Sequence, residues 1–88
     1  MNRAPGDRLE LYETRTCPYC LRVRAALSSL GLEVPGRDVA RDPAAREELL
    51  RARGRATVPV LRRLAADGTE EWLPESLDII AYLRALAR

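Results

Sequence analysis

Leu9-Glu10-Leu11-Tyr12-Glu13-Thr14-Arg15-Thr16-Cys17-Pro18-Tyr19-Cys20 carries both cysteines of the chain, and Leu21 to Leu30 follow directly. Leu9 to Glu13 alternates apolar and polar residues, the period of a half-buried strand. Leu21 to Leu30 repeats apolar residues at helical spacing, and Gly31 is its natural stop. A C-x-x-C pair at a strand-to-helix junction of a small α/β chain points to thiol–disulfide chemistry. That chemistry needs this placement. The thiolate attacks disulfides, and free N–H groups at a helix start stabilise a negative sulfur.

The two sulfurs have different roles. Pro18 suits the first helical position, where its missing N–H costs nothing. Cys17 then becomes the N-cap, facing solvent, with first-turn N–H groups directed at it. Cys20 falls on the apolar face with Val23, Leu27 and Leu30. Cys17 is therefore assigned as nucleophile and Cys20 as resolving thiol. The helix dipole contributes only about 0.3–1 kcal/mol to a thiolate. Arg15 and the hydroxyls of Thr14 and Thr16 are the local groups that can add to it. A structural zinc site needs four ligands, and two Cys without any His do not make one; no metal is expected.

Eighty-eight residues are read as one domain spanning 1–88, with residues 1–7, which contain Pro5 and Gly6, as a loose N-terminus. A hydrophobic fraction of 47% is that of a globular chain. The net charge of +2, spread over scattered Arg residues, argues against a nucleic-acid partner. No apolar run has the length of a signal peptide or a membrane span. A cytoplasmic, monomeric protein is expected, and cysteines in a reducing compartment are more often catalytic than structural.

The remaining elements follow from their punctuation. A short, bent or edge strand is expected within Glu33–Val39, interrupted by Pro35-Gly36. Asp42-Pro43 opens a second helix that runs to about Arg53, closes at Gly54 and turns Ala45, Leu49 and Ala52 inward. A third strand is read over Thr57–Leu64, a hairpin turn at Asp67-Gly68 and a fourth strand over Glu70–Leu73. The last helix starts at Glu75 or Ser76, runs to Ala87 and buries Ile79, Ile80, Leu83 and Leu86. The order βαβαββα predicts an α/β fold, a four-stranded mixed sheet covered by three helices.

Tyr12 to Cys20, Arg46-Glu47-Glu48 and Gly54-Arg55-Ala56-Thr57-Val58-Pro59-Val60 together resemble a glutaredoxin of the short, bacterial, dithiol kind, over about Leu9 to Leu86. The Cys-Pro-Tyr-Cys motif is specific, since thioredoxins typically carry Gly-Pro between the cysteines. The resemblance implies a thioredoxin fold and the reduction of protein disulfides and glutathione mixed disulfides, with glutathione as reductant. It also implies a cis bond at Pro59, and a groove in which Thr57 and Val58 pair strand-like with the ligand and Tyr19 flanks the mixed disulfide. Glutaredoxins often carry a Lys at the position of Thr14. Here its neighbour Arg15 is the candidate for the glycyl carboxylate of glutathione, with Arg55 and Arg53 behind it.

The sequence departs from that family at Trp72-Leu73, where glutaredoxins have a Gly-Gly pair. The stretch Pro74-Glu75-Ser76-Leu77-Asp78-Ile79-Ile80-Ala81-Tyr82-Leu83 resembles instead the N-terminal, glutathione-binding half of glutathione transferases. In them a Glu-Ser pair at a helix start holds the γ-glutamyl end, which implies that role for Glu75 and Ser76. Ser76 reads equally well as a plain N-cap. The implied partners are glutathione and glutathionylated or disulfide-containing proteins. Two other functions fit the motif: a redoxin reduced by thioredoxin reductase, and a glutathione-binding module holding a [2Fe–2S] cluster between two chains. A stand-alone transferase is not expected, because no helical domain follows within Arg88.

Overall fold

The computed structural model describes residues 7–87. Its elements are β1 (Arg8–Glu13), α1 (Pro18–Leu30), β2 (Gly36–Asp38), α2 (Pro43–Arg53), β3 (Val60–Leu64), β4 (Glu70–Pro74) and α3 (Ser76–Leu86). The strands form one mixed sheet in the order β2-β1-β3-β4. β1 pairs parallel with β2 and antiparallel with β3, and β3 pairs antiparallel with β4. This is the expected thioredoxin-like architecture.

Strand alternation sends the core to both faces of the sheet. Leu9, Leu11 and Leu61 pack against Val23 and Leu27 of α1 and Ile79, Tyr82 and Leu83 of α3. On the other face Tyr12 and Val60 pack with Val39 and with Ala45 and Leu49 of α2. Both early helices end where their local chemistry dictates. Gly31 takes φ 69°, and the Leu32 N–H reaches back to the Leu27 carbonyl at 3.0 Å, a left-handed closure suited to glycine. Asp42 Oδ1 accepts from the N–H groups of Ala44 and Ala45 at 3.0 and 3.3 Å and caps α2.

Several sequence expectations change. β3 starts at Val60, not Thr57. Pro59 has no N–H to give to a ladder, and β1 offers no strand partner beyond Glu13. The strand read within Glu33–Val39 contracts to Gly36–Asp38 at the sheet edge. Ala52 is exposed, so α2 buries only Ala45 and Leu49. Asp7, read as part of a loose end, is buried and pairs with Arg63 at 2.9 Å; residues 1–6 lie outside the described residues. Ser76 is the first helical residue rather than the N-cap, a position that falls to Glu75. Trp72 lies against Tyr12, ring centroids 5.2 Å apart, beneath the Arg62 guanidinium.

Gly36 has a packing role. Arg24 on α1 donates to Glu13 at the end of β1 through both Nε, at 2.8 Å, and Nη2, and to the Val34 carbonyl at 3.0 Å. A Cβ on Gly36 would fall on Glu13 Oε2 and Arg24 Nη2. Gly36→Ala is expected to displace this pair and cost about 1 kcal/mol. For a domain of this size that lowers the Tm by about 4–8 °C. In a thermal melt followed by circular dichroism, Glu13→Ala, which removes both the pair and the colliding carboxylate, and the double variant Glu13→Ala/Gly36→Ala should melt together. A full additional loss in the double variant would assign the Gly36 effect to the backbone instead.

Candidate functional site

The loop from Thr14 to Cys17 links the end of β1 to α1. Cys17 is the N-cap of α1, with φ −80° and ψ 118°, and Pro18 opens the helix. No side chain caps this end, so the first-turn N–H groups stay open to the sulfur or to a ligand. Both thiols are free; Cys17 is half-buried and Cys20 is 1% exposed. Cys20 is covered as the helical spacing predicts, whereas Cys17, expected to face solvent, is half-buried because the Val58 carbonyl lies against its sulfur.

Burial pushes the Cys20 thiol up to about 12. The Thr14 backbone works against that shift, while Cys17 and the Glu13 carboxylate add to it. The cause is physical: an anionic sulfur under α1 loses its water. At neutral pH Cys20 is therefore held as a thiol.

The Cys17 thiol donates to the Val58 carbonyl oxygen, 3.8 Å away. Val58–Pro59 is a cis peptide bond. The segment belongs to no strand; Val58 sits at a bend beside the sulfur, ahead of β3. A hollow of about 280 Å³ opens here, bounded by Tyr19, Thr57, Val58 and Pro59 on the thiol side and by Pro74, Glu75 and Ser76 at the start of α3. Arg53 and Arg55 complete its wall.

Of the residues picked from the sequence, Tyr19, Thr57, Val58, Pro59, Glu75 and Ser76 thus meet in one cavity. Arg15 does not join them. It is 72% exposed, lies 3.8 Å from Asp38 and lines a second hollow of about 360 Å³ behind Cys20, with Glu13, Thr14 and Arg24. Arg53 and Arg55, ranked behind Arg15 in the sequence reading, are the guanidinium groups beside Val58. Neither has a carboxylate partner among the described residues, and Arg53 Nε is buried without a hydrogen bond.

Glu75 carries a feature that no sequence signal marked. It is the sole residue between β4 and α3 and takes φ 72°, ψ 112°. The sharp exit from Pro74 into a helix confines the turn to one residue, and a non-glycine residue there is strained by about 1–3 kcal/mol. The strain sits on the wall of the cavity. No side chain caps α3, so its first N–H groups are available at the same place.

A family model described as the glutathione S-transferase N-terminal domain matches residues 11–88. Glutaredoxin 3 of Escherichia coli K12 is 43% identical over 51 residues, which cover 58% of this chain and 61% of the relative. Among solved structures, maleylacetoacetate isomerase from Anaeromyxobacter dehalogenans 2CP-1, with bound dicarboxyethyl glutathione and citrate, superposes with a TM-score of 0.65 at 30% identity. That match covers 90% of this chain and 36% of the isomerase. A thioredoxin-like protein, 25% identical, has a TM-score of 0.65 over 88% of this chain and 95% of its own. The chain thus spans about three-fifths of the curated relative and about a third of the isomerase.

Proposed function

Because the chain belongs to the glutathione S-transferase N-terminal domain family and is 43% identical to a glutaredoxin over 51 residues, we propose that it is a glutathione-dependent thiol–disulfide oxidoreductase. Cys17 is the nucleophile and Cys20 the resolving thiol. One observation carries the reading: the half-buried sulfur of a helix N-cap lies 3.8 Å from the Val58 carbonyl oxygen, and Val58 lines a cavity with unpaired guanidinium groups and an uncapped helix start. Glutathione presents matching chemistry, a peptide backbone with a carboxylate at each end and an ammonium at one. Its cysteinyl unit pairs with Val58. The glycyl carboxylate goes to Arg55 and Arg53 rather than to Arg15. The γ-glutamyl end lies at Ser76, where helix N–H groups favour a carboxylate and Glu75 accepts from the ammonium.

The reaction is a series of exchanges. The Cys17 thiolate attacks the glutathionyl sulfur of a mixed disulfide, forming Cys17–S–S–glutathione and releasing the substrate thiolate, which takes a proton. A second glutathione thiolate attacks the bound glutathionyl sulfur, expels Cys17 as thiolate and leaves as oxidised glutathione. With a protein disulfide, Cys17 forms a mixed disulfide with the protein. The deprotonated Cys20 then attacks Cys17, releases the reduced protein and closes the Cys17–Cys20 bridge. Two glutathiones reopen it. Each step swaps one S–S bond for another, and the net electrons come from glutathione. The reaction suits a reducing compartment.

Mass spectrometry tests the site. Cys20→Ser exposed to oxidised glutathione is expected to carry one glutathione adduct, on Cys17. No adduct, or one that survives only in the unfolded protein, would refute the assignment. Arg55→Ala should raise the KM for glutathione about 3- to 10-fold with kcat nearly unchanged, the pattern of a group that binds ground and transition states alike. Incubating the oxidised protein separately with glutathione and with thioredoxin reductase identifies the reductant; glutathione is expected to reopen the bridge.

A further inference from the structure

Cys20 lines a second hollow, of about 360 Å³, which shares no residue with the cavity at Val58. When glutathione fills that cavity, the hollow still gives the Cys20 proton a way to solvent. Four charged side chains stand around it: Glu13 from β1, Arg15 from the loop before Cys17, Arg24 from α1 and Asp38 from β2. Arg15 and Asp38 face each other at 3.8 Å, and Arg15 is largely in solvent, which damps its field at the sulfur. Glu13 and Arg24 are better covered and held in place. Arg24 donates to the Glu13 carboxylate through two nitrogens and to the Val34 carbonyl through the third. It follows Cys20 by four residues, the spacing of one helix face. Glu13 precedes Thr14, whose backbone is hydrogen-bonded to the Cys20 sulfur.

The two charges act on that sulfur with opposite sign. Burial is the main reason why Cys20 keeps its proton, and of the two carboxylates on the hollow Glu13 is the one that adds to it. Arg24 is linked the other way. Its bond to Glu13 raises its pKa, and the negative Cys20 sulfur raises it further. The interaction is mutual, so the guanidinium favours the thiolate in return. Building on the exchange reaction above, we propose that the Glu13–Arg24 pair sets how fast Cys20 closes the bridge. Both are positioning residues that act through the sulfur. The carboxylate opposes the thiolate, the guanidinium favours it, and their pairing holds the two effects near balance. In closure the Cys20 thiol gives its proton to solvent through the hollow. Its thiolate attacks the Cys17 sulfur and glutathione leaves as thiolate, so one S–S bond forms as another breaks. The pair thereby sets how a Cys17–glutathione adduct divides between attack by a second glutathione and closure by Cys20.

The test is single-turnover release of glutathione from protein preloaded at Cys17 with oxidised glutathione, followed from pH 6 to 9. Glu13→Gln leaves Arg24 unopposed and should speed closure about 3-fold at every pH in that range. Arg24→Gln leaves Glu13 unopposed and should slow it about 3-fold. Each figure combines an about tenfold change in thiolate fraction with the opposing change in nucleophilicity. The double variant Glu13→Gln/Arg24→Gln removes both charges and should return close to the parent rate. Arg24→Lys keeps the charge but not the two-pronged pair, and should stay within about 2-fold of the parent. A pair with a purely structural role behaves differently: every one of these variants breaks the same contact, so all would shift the rate in one direction. That result, or single variants that both close at the parent rate, would overturn the proposal. Should Arg24→Gln fail to fold, a Glu13→Gln protein that closes no faster than the parent overturns it alone. A parent protein that takes no adduct at Cys17 would overturn the exchange reaction itself, and this proposal with it.

Discussion

Cys17→Ser is expected to lose glutathione-dependent turnover by more than about 10³-fold, because removing the nucleophile closes the covalent route. The assay couples formation of oxidised glutathione to NADPH consumption, with a glutathionylated peptide as substrate. Cys20→Ser should separate the two substrate classes. Deglutathionylation needs only Cys17 and an incoming glutathione, so it continues. Reduction of an intramolecular protein disulfide stalls at the mixed disulfide with Cys17, and the trapped adduct accumulates. The asymmetry has a structural source: Cys17 is half-buried at the N-cap beside Val58, whereas Cys20 is 1% exposed beneath α1. An active Cys17→Ser enzyme alongside a dead Cys20→Ser enzyme would invert the two roles. A chloroarene electrophile in the same assay series separates exchange from conjugation, since the transferase-like segment at Pro74 to Leu83 invites that comparison. Conjugation that persists in Cys17→Ser would move the chemistry away from the thiol.

What could be read from residues alone depended on how local the cause was. α1 and α2 are bounded by their own chemistry. Pro18 and Pro43 occupy first positions, Asp42 caps, and Gly31 and Gly54 adopt positive φ at the ends. Their limits were legible because no distant residue sets them. Strand limits answer to partners instead. Thr57 to Pro59 has strand-like composition, but β1 gives Val60 its last opposite residue, Tyr12. The same dependence shortened β2 to the three residues that β1 can hold.

The candidate site divides in the same way. The motif located Cys17 and Cys20, and the resemblance drew Tyr19, Thr57, Val58, Pro59, Glu75 and Ser76 into one groove, where the fold places them around one cavity. The choice among arginines was not legible. Arg15 is two residues from Cys17 in sequence, yet its side chain lines the hollow on the other side of the loop, while Arg53 and Arg55 arrive from the end of α2. Proximity along the chain is a poor guide where the chain turns. The positive φ of Glu75 was hidden for a related reason. It is imposed by a one-residue junction between β4 and α3, which becomes visible only once both elements have their ends.

Closure of the Cys17–Cys20 bridge is expected to speed up with pH about tenfold per unit across pH 6–9, without levelling off. Cys20 must be a thiolate to attack Cys17, and burial raises its pKa to about 12 from the ordinary 9.0. Far below its pKa the thiolate fraction grows tenfold per pH unit, so the rate follows it. Once Cys17 is tied up in a mixed disulfide its share of the shift disappears, but burial, the largest cause, stays. The measurement is single-turnover release of glutathione from protein preloaded at Cys17, by quench and mass spectrometry, with Cys20→Ser as the blank that releases none. A plateau near pH 8 would mean that Cys20 ionises like an exposed thiol, and the burial argument would fail. Stability should move with the same proton. The folded state holds that proton more tightly than the unfolded chain, so the contribution is fully present below about pH 9. It is lost as pH climbs toward about 12, because only the unfolded chain releases the proton in that window. Cys20→Ser should flatten that alkaline loss in a denaturant titration, since its hydroxyl does not ionise there. An unchanged alkaline slope would assign the loss to groups other than the buried sulfur.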